Sequence, residues 1–412
     1  MATCEGVASV TANSNIERID KSASSARSLH VAMVVRSFSE SGGLELYAHR
    51  SIEGLLARGH KVTVVCEVSD SKLEHPNLAK LFFPKAPENV PKAQRITHHF
   101  NAASGFVAEH GPFDVVHSQH LPMRGADAVT FHNHSANRLV KVGQNWERLL
   151  SKAKMIYSNA YKIRYAQDEI LCQSPVLLFP AAVTRDDFIA TYKLNERPRP
   201  PSYVVAHPGA NFPGPDSQIS SLQHKDDEPA PFTFLFVGKG FRKKGLDILF
   251  AACKILNQQG VRHRLLIAGL RAKPFDELRL QLMGLATTVQ YLGFRKDMQN
   301  VYAQAQATIL PSRIEPFGMA PVQGMIYGLV PIVSAVSGVS EVLTDGVDSL
   351  ILKDHLSPVE LASLMKSLAS ESARIADMSA RAKLTAAKLT WDRTVEDTLR
   401  GYELVLEKKV HT

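Results

Sequence analysis

The 412-residue chain has only four cysteines, Cys4, Cys66, Cys172 and Cys253, far apart, with no C-x-x-C pair and no histidine cluster beside them. Such spacing excludes a disulfide-stapled scaffold or a zinc ribbon and fits a reducing compartment. No stretch approaches the roughly 20 apolar residues needed to span a bilayer, so any membrane contact would be peripheral. Residues 1–28 are rich in Ser, Ala and Asn and lack an apolar core. They do not read as a secretory signal, and a disordered tail is expected there. G-x-G-x-x-G is missing after the first strand-like run, which removes the main sign of a nicotinamide-dinucleotide fold. Acidic side chains are the minority: 40 Asp+Glu against 48 Lys+Arg leave a formal charge of +8. That balance suits polyanionic ligands, acidic membrane surfaces or simple solubility, and does not choose among them.

What the chain does have is alternation of short apolar runs with helical periods, enough for two α/β domains. Leu29–Val35 reads as a first buried strand, Ser41-Gly42-Gly43 opens a helix, and Lys61–Cys66 is the next strand. Phe113–His117 and Ala128–His134 follow, the latter ending in the polar group His132-Asn133-His134. A second series begins with Phe232–Val237 and continues with Arg262–Gly269, Gln290–Phe294, Ala307–Leu310 and Val330–Ser334. Leu356–Leu389 reads as two helices, and Thr390-Trp391 begins a last one. Between the two series, 211–230 has the Pro, Gly, Ser and Asp content of an exposed loop.

The centre of the second series is Ser312-Arg313-Ile314-Glu315-Pro316-Phe317-Gly318, a turn between a strand and a helical pattern that starts at Met319. Amides at such a helix start point outward unpaired and attract phosphate. This segment, with Gly328, Pro331, Ser334, Gly338 and Glu341 in order after it, resembles the donor site of the retaining GT-B glycosyltransferases of family GT4. The resemblance spans nearly all of Leu29 to Leu406. It implies an α/β fold of two Rossmann-like domains facing across a cleft, with a carboxyl-terminal helix that crosses back to the first. The expected division is a tail at 1–28, an acceptor-side domain at 29–207, a donor-binding domain at 208–389 and a closing helix at 390–412.

The resemblance also implies roles. Glu315 would face the transferred sugar, and the backbone of Phe317, Gly318 and Met319 would meet the diphosphate. Lys239 and Lys244 match the two cations that grip that diphosphate, with Arg242 as a neighbour within the uncertainty of register. Phe294 would border the base. The family usually carries a second Glu eight positions after the first, where it bonds the ribose; this chain has Gln323, which still accepts and donates hydrogen bonds. Gly42 and Gly43 read either as a tight turn or as a loop that lets backbone approach the diphosphate. His132 best matches a histidine that borders the donor sugar, with His134 second and His117 and His120 weaker.

Asn137–Tyr165 interleaves basic residues with Leu, Trp and Tyr. It reads as a helical hairpin with a solvated face, or as a surface resting on an anionic membrane. No D-x-D stands where a metal site would be expected, and no carboxylate pair suits double displacement. No metal or other cofactor is therefore expected, nor a nucleic-acid partner. The implied partners are a nucleotide-diphosphate sugar and a glycan or lipid-linked acceptor. The implied reaction is hexosyl transfer with retention, nearest in type to bacterial lipopolysaccharide-core or surface-glycan synthesis, in the cytoplasm or peripheral on the inner face of the plasma membrane. The competing reading is a catalytically silent sugar-nucleotide-binding or regulatory protein, suggested by Gln323.

Overall fold

Strands that are apolar on both faces must be covered on both faces, and a parallel sheet flanked by helices does this. His30–Val34, Lys61–Cys66 and Phe232–Val237 obey the rule, with nearly every residue buried. In the computed structural model, which describes residues 27–211 and 231–410, such strands build two sheets. The first has seven parallel strands in the spatial order Leu78–Phe82, Lys61–Cys66, His30–Val34, Val115–Gln119, Ala128–Thr130, Val176–Phe179 and Ser202–Val205. The second has six: Val289–Gly293, His263–Ala268, Phe232–Val237, Ala307–Leu310, Val330–Ser334 and Leu350–Leu352. In each sheet the first strand in the chain lies between the second and the fourth. This is the doubly wound order, and the crevice beyond the carboxyl ends of those central strands is where ligands settle.

Lys61–Cys66, Phe232–Val237, Ala307–Leu310 and Val330–Ser334 form within their expected bounds. The run expected through His134 stops pairing at Thr130. After Phe131 bonds to the Leu178 carbonyl, the His132 amide turns to the His120 ring, which takes the chain out of the sheet. The strand Leu78–Phe82 escapes sequence reading because it lies at the edge and none of its residues is buried, so it carries no apolar run. The segment expected as a helical hairpin is instead three helices, Arg138–Val142, Asn145–Tyr157 and Asn159–Leu171. Ser158 breaks the last two with an extended backbone and caps the second of them.

The closing helix Trp391–Val410 crosses back to the first domain, where Val395, Tyr402 and Val405 share a core with Val31, Leu178 and Val204. The two helices expected before it form as Pro358–Ser370 and Ser372–Ala387. The expected tail lies outside the described residues up to residue 26, as does 212–230 of the expected loop. Arg27 and Ser28 are held by the Asp114 carboxylate and the Gly59 carbonyl. Cys66, Cys172 and Cys253 are free, buried thiols, and burial pushes that of Cys66 up to about 11. Among the described residues no helix is long and apolar enough to cross a membrane.

Candidate active site

At the switch point of the second sheet two loops meet, 238–245 after Phe232–Val237 and 311–318 after Ala307–Leu310. The amides of Arg313 and Ile314 donate to the Lys243 carbonyl. Gly245, at φ 76°, permits the approach: a Cβ there would lie 1.9 Å from the Pro311 carbonyl oxygen. Only glycine fits. Across this seam the Lys244 ammonium pairs with the Glu315 carboxylate, and Glu315 is 7% exposed. The helix Met319–Ile326 then starts from Gly318, whose φ of 113° turns the chain sharply. Its first amides have no carbonyl one turn earlier, so the turn offers donors to an anion. The side chain of Phe317 takes no part, because it is buried with Ala181, Leu310 and Val339. What Phe317 can lend to a diphosphate is therefore limited to its backbone.

The 238–245 loop lines a cavity of about 530 Å³ through Lys239, with Asn211, Phe294, Tyr302, Gln323 and Tyr327 around it. Phe294 is 62% exposed and so stands outside the core. Its ring lies 5.7 Å from the Lys239 ammonium. Gln323 does stand in this cavity, but its amide is engaged: Nε2 donates to the Asn211 carbonyl at 2.7 Å and Oε1 accepts from the Asn211 amide at 3.4 Å. The Asn211 side chain in turn accepts from the Trp391 indole. Arg242 departs from expectation. Its guanidinium stacks 4.2 Å over Trp146 and its Nε lies 3.2 Å from the Glu147 carboxylate, so a counter-charge on the first domain draws it away from the cavity.

On the first domain, Gly42 caps the helix Gly43–Ala57 and Gly43 borders open space. That fits both readings of the pair. His132 sits just beyond Ala128–Thr130, with its ring Nε2 paired to the Gln119 amide oxygen at 2.8 Å and its ring edge-on to Tyr47 at 5.0 Å. Burial, with the His120 and His117 rings nearby, pushes its imidazole well below the ordinary histidine range. It is therefore neutral at neutral pH. His134 is buried beside Asp187 at 3.6 Å, inside the first domain. His117 is a core residue between Tyr402 and Thr130, pushed down to about 3 by burial.

Apart from His120, which it named only as a weaker sugar-side candidate, sequence reading missed the groups that hold these candidates. Gln119 and His120 fix His132, and His120 does so from a backbone at φ 57°. Arg313, fully buried, and Glu147 brace the Glu315 turn. Only the position of Arg313 inside the Ser312–Gly318 motif could have drawn attention to it. Among the described residues no three His, Cys, Asp or Glu side chains cluster as a metal set.

Two parallel sheets of this order, with lysines, a carboxylate and a helix start at the switch point of the second, define a two-domain fold suited to binding phosphorylated ligands. Known proteins narrow this. The model for Glycosyltransferase Family 4 matches residues 41–199 and that for Glycosyl transferases group 1 matches 220–385. The chain belongs to these glycosyltransferases and has their GT-B architecture. The D-inositol 3-phosphate glycosyltransferase 1 of Catenulispora acidiphila is 24% identical over 405 residues, covering 89% of this chain and 92% of that protein. Among solved structures, WaaG, a glycosyltransferase involved in lipopolysaccharide biosynthesis, superposes with a TM-score of 0.69 at 18% identity, covering 89% of this chain and 98% of that one. Anabaena HepE in complex with UDP-glucose gives 0.62 at 16% identity, over 90% of this chain and 99% of HepE.

Proposed function

We propose that the protein is a retaining glycosyltransferase that moves a hexose from a nucleoside diphosphate sugar to a glycan or lipid-linked acceptor in the synthesis of a bacterial surface polysaccharide or lipopolysaccharide. The observation that carries this reading is the Lys244–Glu315 pair beside the Gly318 helix start, with Lys244 on the same loop as the Lys239 that lines the 530 Å³ cavity. Breaking a sugar–phosphate bond leaves negative charge on the diphosphate, and preorganised cations and amides stabilise it as it develops. Glu315 orients the donor sugar and supports the positive charge on its ring. Neutral His132 holds that sugar from the first domain. The acceptor hydroxyl attacks from the face the phosphate leaves, and the leaving phosphate takes its proton. In this scheme lysines and amides meet the charge that a metal would otherwise meet. Closure of the two domains excludes water, which would hydrolyse the donor. Retention is supported by likeness in fold to a trehalose-6-phosphate synthase whose structure was described in terms of glycosyl transfer with retention.

Mass-spectrometric analysis of products from a panel of nucleotide-sugars and glycan acceptors tests the reading. Transfer by the wild type and its loss in Glu315→Ala are expected. Tight nucleotide binding without turnover across the panel would favour the silent-binder reading, for which the one specific observation is that Gln323 is tied to Asn211 rather than free.

The reading extends to a cytoplasmic protein resting on the inner face of the plasma membrane. Helix Asn145–Tyr157 exposes Leu149, Leu150, Ile156 and Tyr157 among the exposed Arg148, Lys152 and Lys154. Apolar and basic groups together suit an anionic bilayer. Liposome pelleting decides: stronger binding to anionic than to neutral vesicles is expected, and equal weak binding removes the idea.

A further inference from the structure

Helix Asn145–Tyr157 belongs to the first domain, yet its first turn reaches the second. Glu147 at its third position accepts the Gln144 amide at 2.8 Å, closing a capping box. The same carboxylate also faces across the domain boundary, its Oε2 shared between the Gln144 amide and Arg313. Arg242 Nε lies 3.2 Å from Oε1, and Arg313 Nε lies 3.2 Å from Oε2. Arg313 is 0% exposed, and its outer nitrogens are committed to the two Asp247 oxygens and to the Arg242 carbonyl, each at 2.8 Å. One guanidinium thus ties the Glu315 turn to the 238–245 loop and to the start of helix Leu246–Gln258.

Two carboxylates neutralise this buried cation, and they come from different domains. Asp247 lies in the same domain as Arg313; Glu147 does not. Removing one partner from a buried, ion-paired guanidinium leaves charge poorly compensated, and neighbouring groups shift to meet it. The neighbours here are Lys244 and Glu315. Two further contacts seat the same first-domain segment on the second domain: Arg138 to the Val336 carbonyl at 3.3 Å, and the His355 ring to the Val142 carbonyl at 2.6 Å.

We propose that Glu147 is a cross-domain positioning residue: acting through Arg313 and Arg242, it sets the geometry of Glu315 and Lys244 only while its helix is docked. The donor-side machinery is then complete only in the closed molecule. Most of the donor pocket needs no such help, because Lys239, Phe294 and Gln323 all belong to the second domain, and Lys244 is the one donor-side cation that Glu147 reaches. The inference rests on the transferase reading above.

Glu147→Gln is the decisive variant, since glutamine still serves a capping box while losing the charge. Its kcat is expected to fall about 10- to 100-fold, the scale of a small misplacement of reacting groups. Affinity for UDP and GDP, used as probes, falls by a clearly smaller factor than kcat, and Glu147→Gln/Arg313→Lys is no slower than the slower single variant, because both act on one contact. An unchanged kcat, or probe affinity falling as far as kcat, overturns the proposal. If the glutamine variant loses thermal stability, Glu147→Asp arbitrates: stability restored with kcat still low supports positioning, and both restored together means a structural role only. If the wild type transfers no sugar at all, the transferase reading fails first. Small-angle scattering with UDP or GDP then tests this inference alone: a larger radius of gyration in Glu147→Gln supports it, and an unchanged radius overturns it.

Discussion

The Glu341 carboxylate, in the second domain, accepts the amides of Ala182 and Val183, the first residues of helix Ala182–Tyr192 in the first domain, at 2.7 and 2.5 Å. That helix begins after Ala181, which has no capping side chain, so its cap is supplied from across the domain boundary. Thr184 strengthens the seam by donating to the Pro316 carbonyl, next to Glu315. Burial pushes the Glu341 carboxyl up, but the His207 ring at 3.6 Å and the two amides outweigh it and leave it below the ordinary carboxylate range. A depressed carboxyl contributes stability that is full above its unfolded value and lost as pH falls through the folded one.

Glu341→Ala should therefore cost about 1 kcal/mol at neutral pH, the usual worth of a helix cap. Urea unfolding at several pH values checks it. The gap between wild type and variant should close on acidification through the carboxylate range, and a gap that stays constant would contradict the linkage.

Lys239 and Lys244 stand at the two ends of one loop, one at the cavity and one on Glu315. Replacing both with Ala should lower turnover by about 100-fold or more, the scale found when groups that meet developing charge are removed. Steady-state kinetics with the best donor from the panel measures this. Intact turnover would show that the diphosphate lies elsewhere.

Because His132 is held neutral, its titration does not enter the working range. The profile of kcat/KM against pH should show no histidine step near the ordinary value of 6.5 that disappears in His132→Ala. The folded value is depressed, so protonation on acidification opposes the native arrangement, and stability falls rather than rises as pH drops below 6.5. A histidine step lost in the variant would mean that a charged imidazole takes part.

Gln323→Glu exchanges an amide that both donates to and accepts from Asn211 for a carboxylate that can only accept. Repulsion from the Asn211 carbonyl should free the new side chain toward the cavity. Donor affinity should then change more than kcat, as read by calorimetry beside single-turnover kinetics. Unchanged affinity would remove Gln323 from the donor site.

Much of this molecule was legible in the order of its residues. Apolar runs such as Phe232–Val237 and Ala307–Leu310 announced buried parallel strands, and Pro316 and Gly318 announced a helix start, because strand burial and turn chemistry are local properties. The motif from Ser312 to Glu341 carried the family. The edge strand Leu78–Phe82 was not legible, since half-exposed residues show no run. Local pattern likewise could not say that Arg242 turns to Trp146 and Glu147, that Phe317 packs inward, that Gln323 grips Asn211, or that Arg313 gathers carboxylates from two domains. Those partners are separated by 95, 112 and 166 residues for the Arg242–Glu147, Gln323–Asn211 and Arg313–Glu147 pairs. Sequence alone therefore determined most of the buried strands and where an anion could be met. Only folding decided which charge stands beside which, because ion pairing depends on distance through space, and that is set by how the two sheets and the closing helix pack.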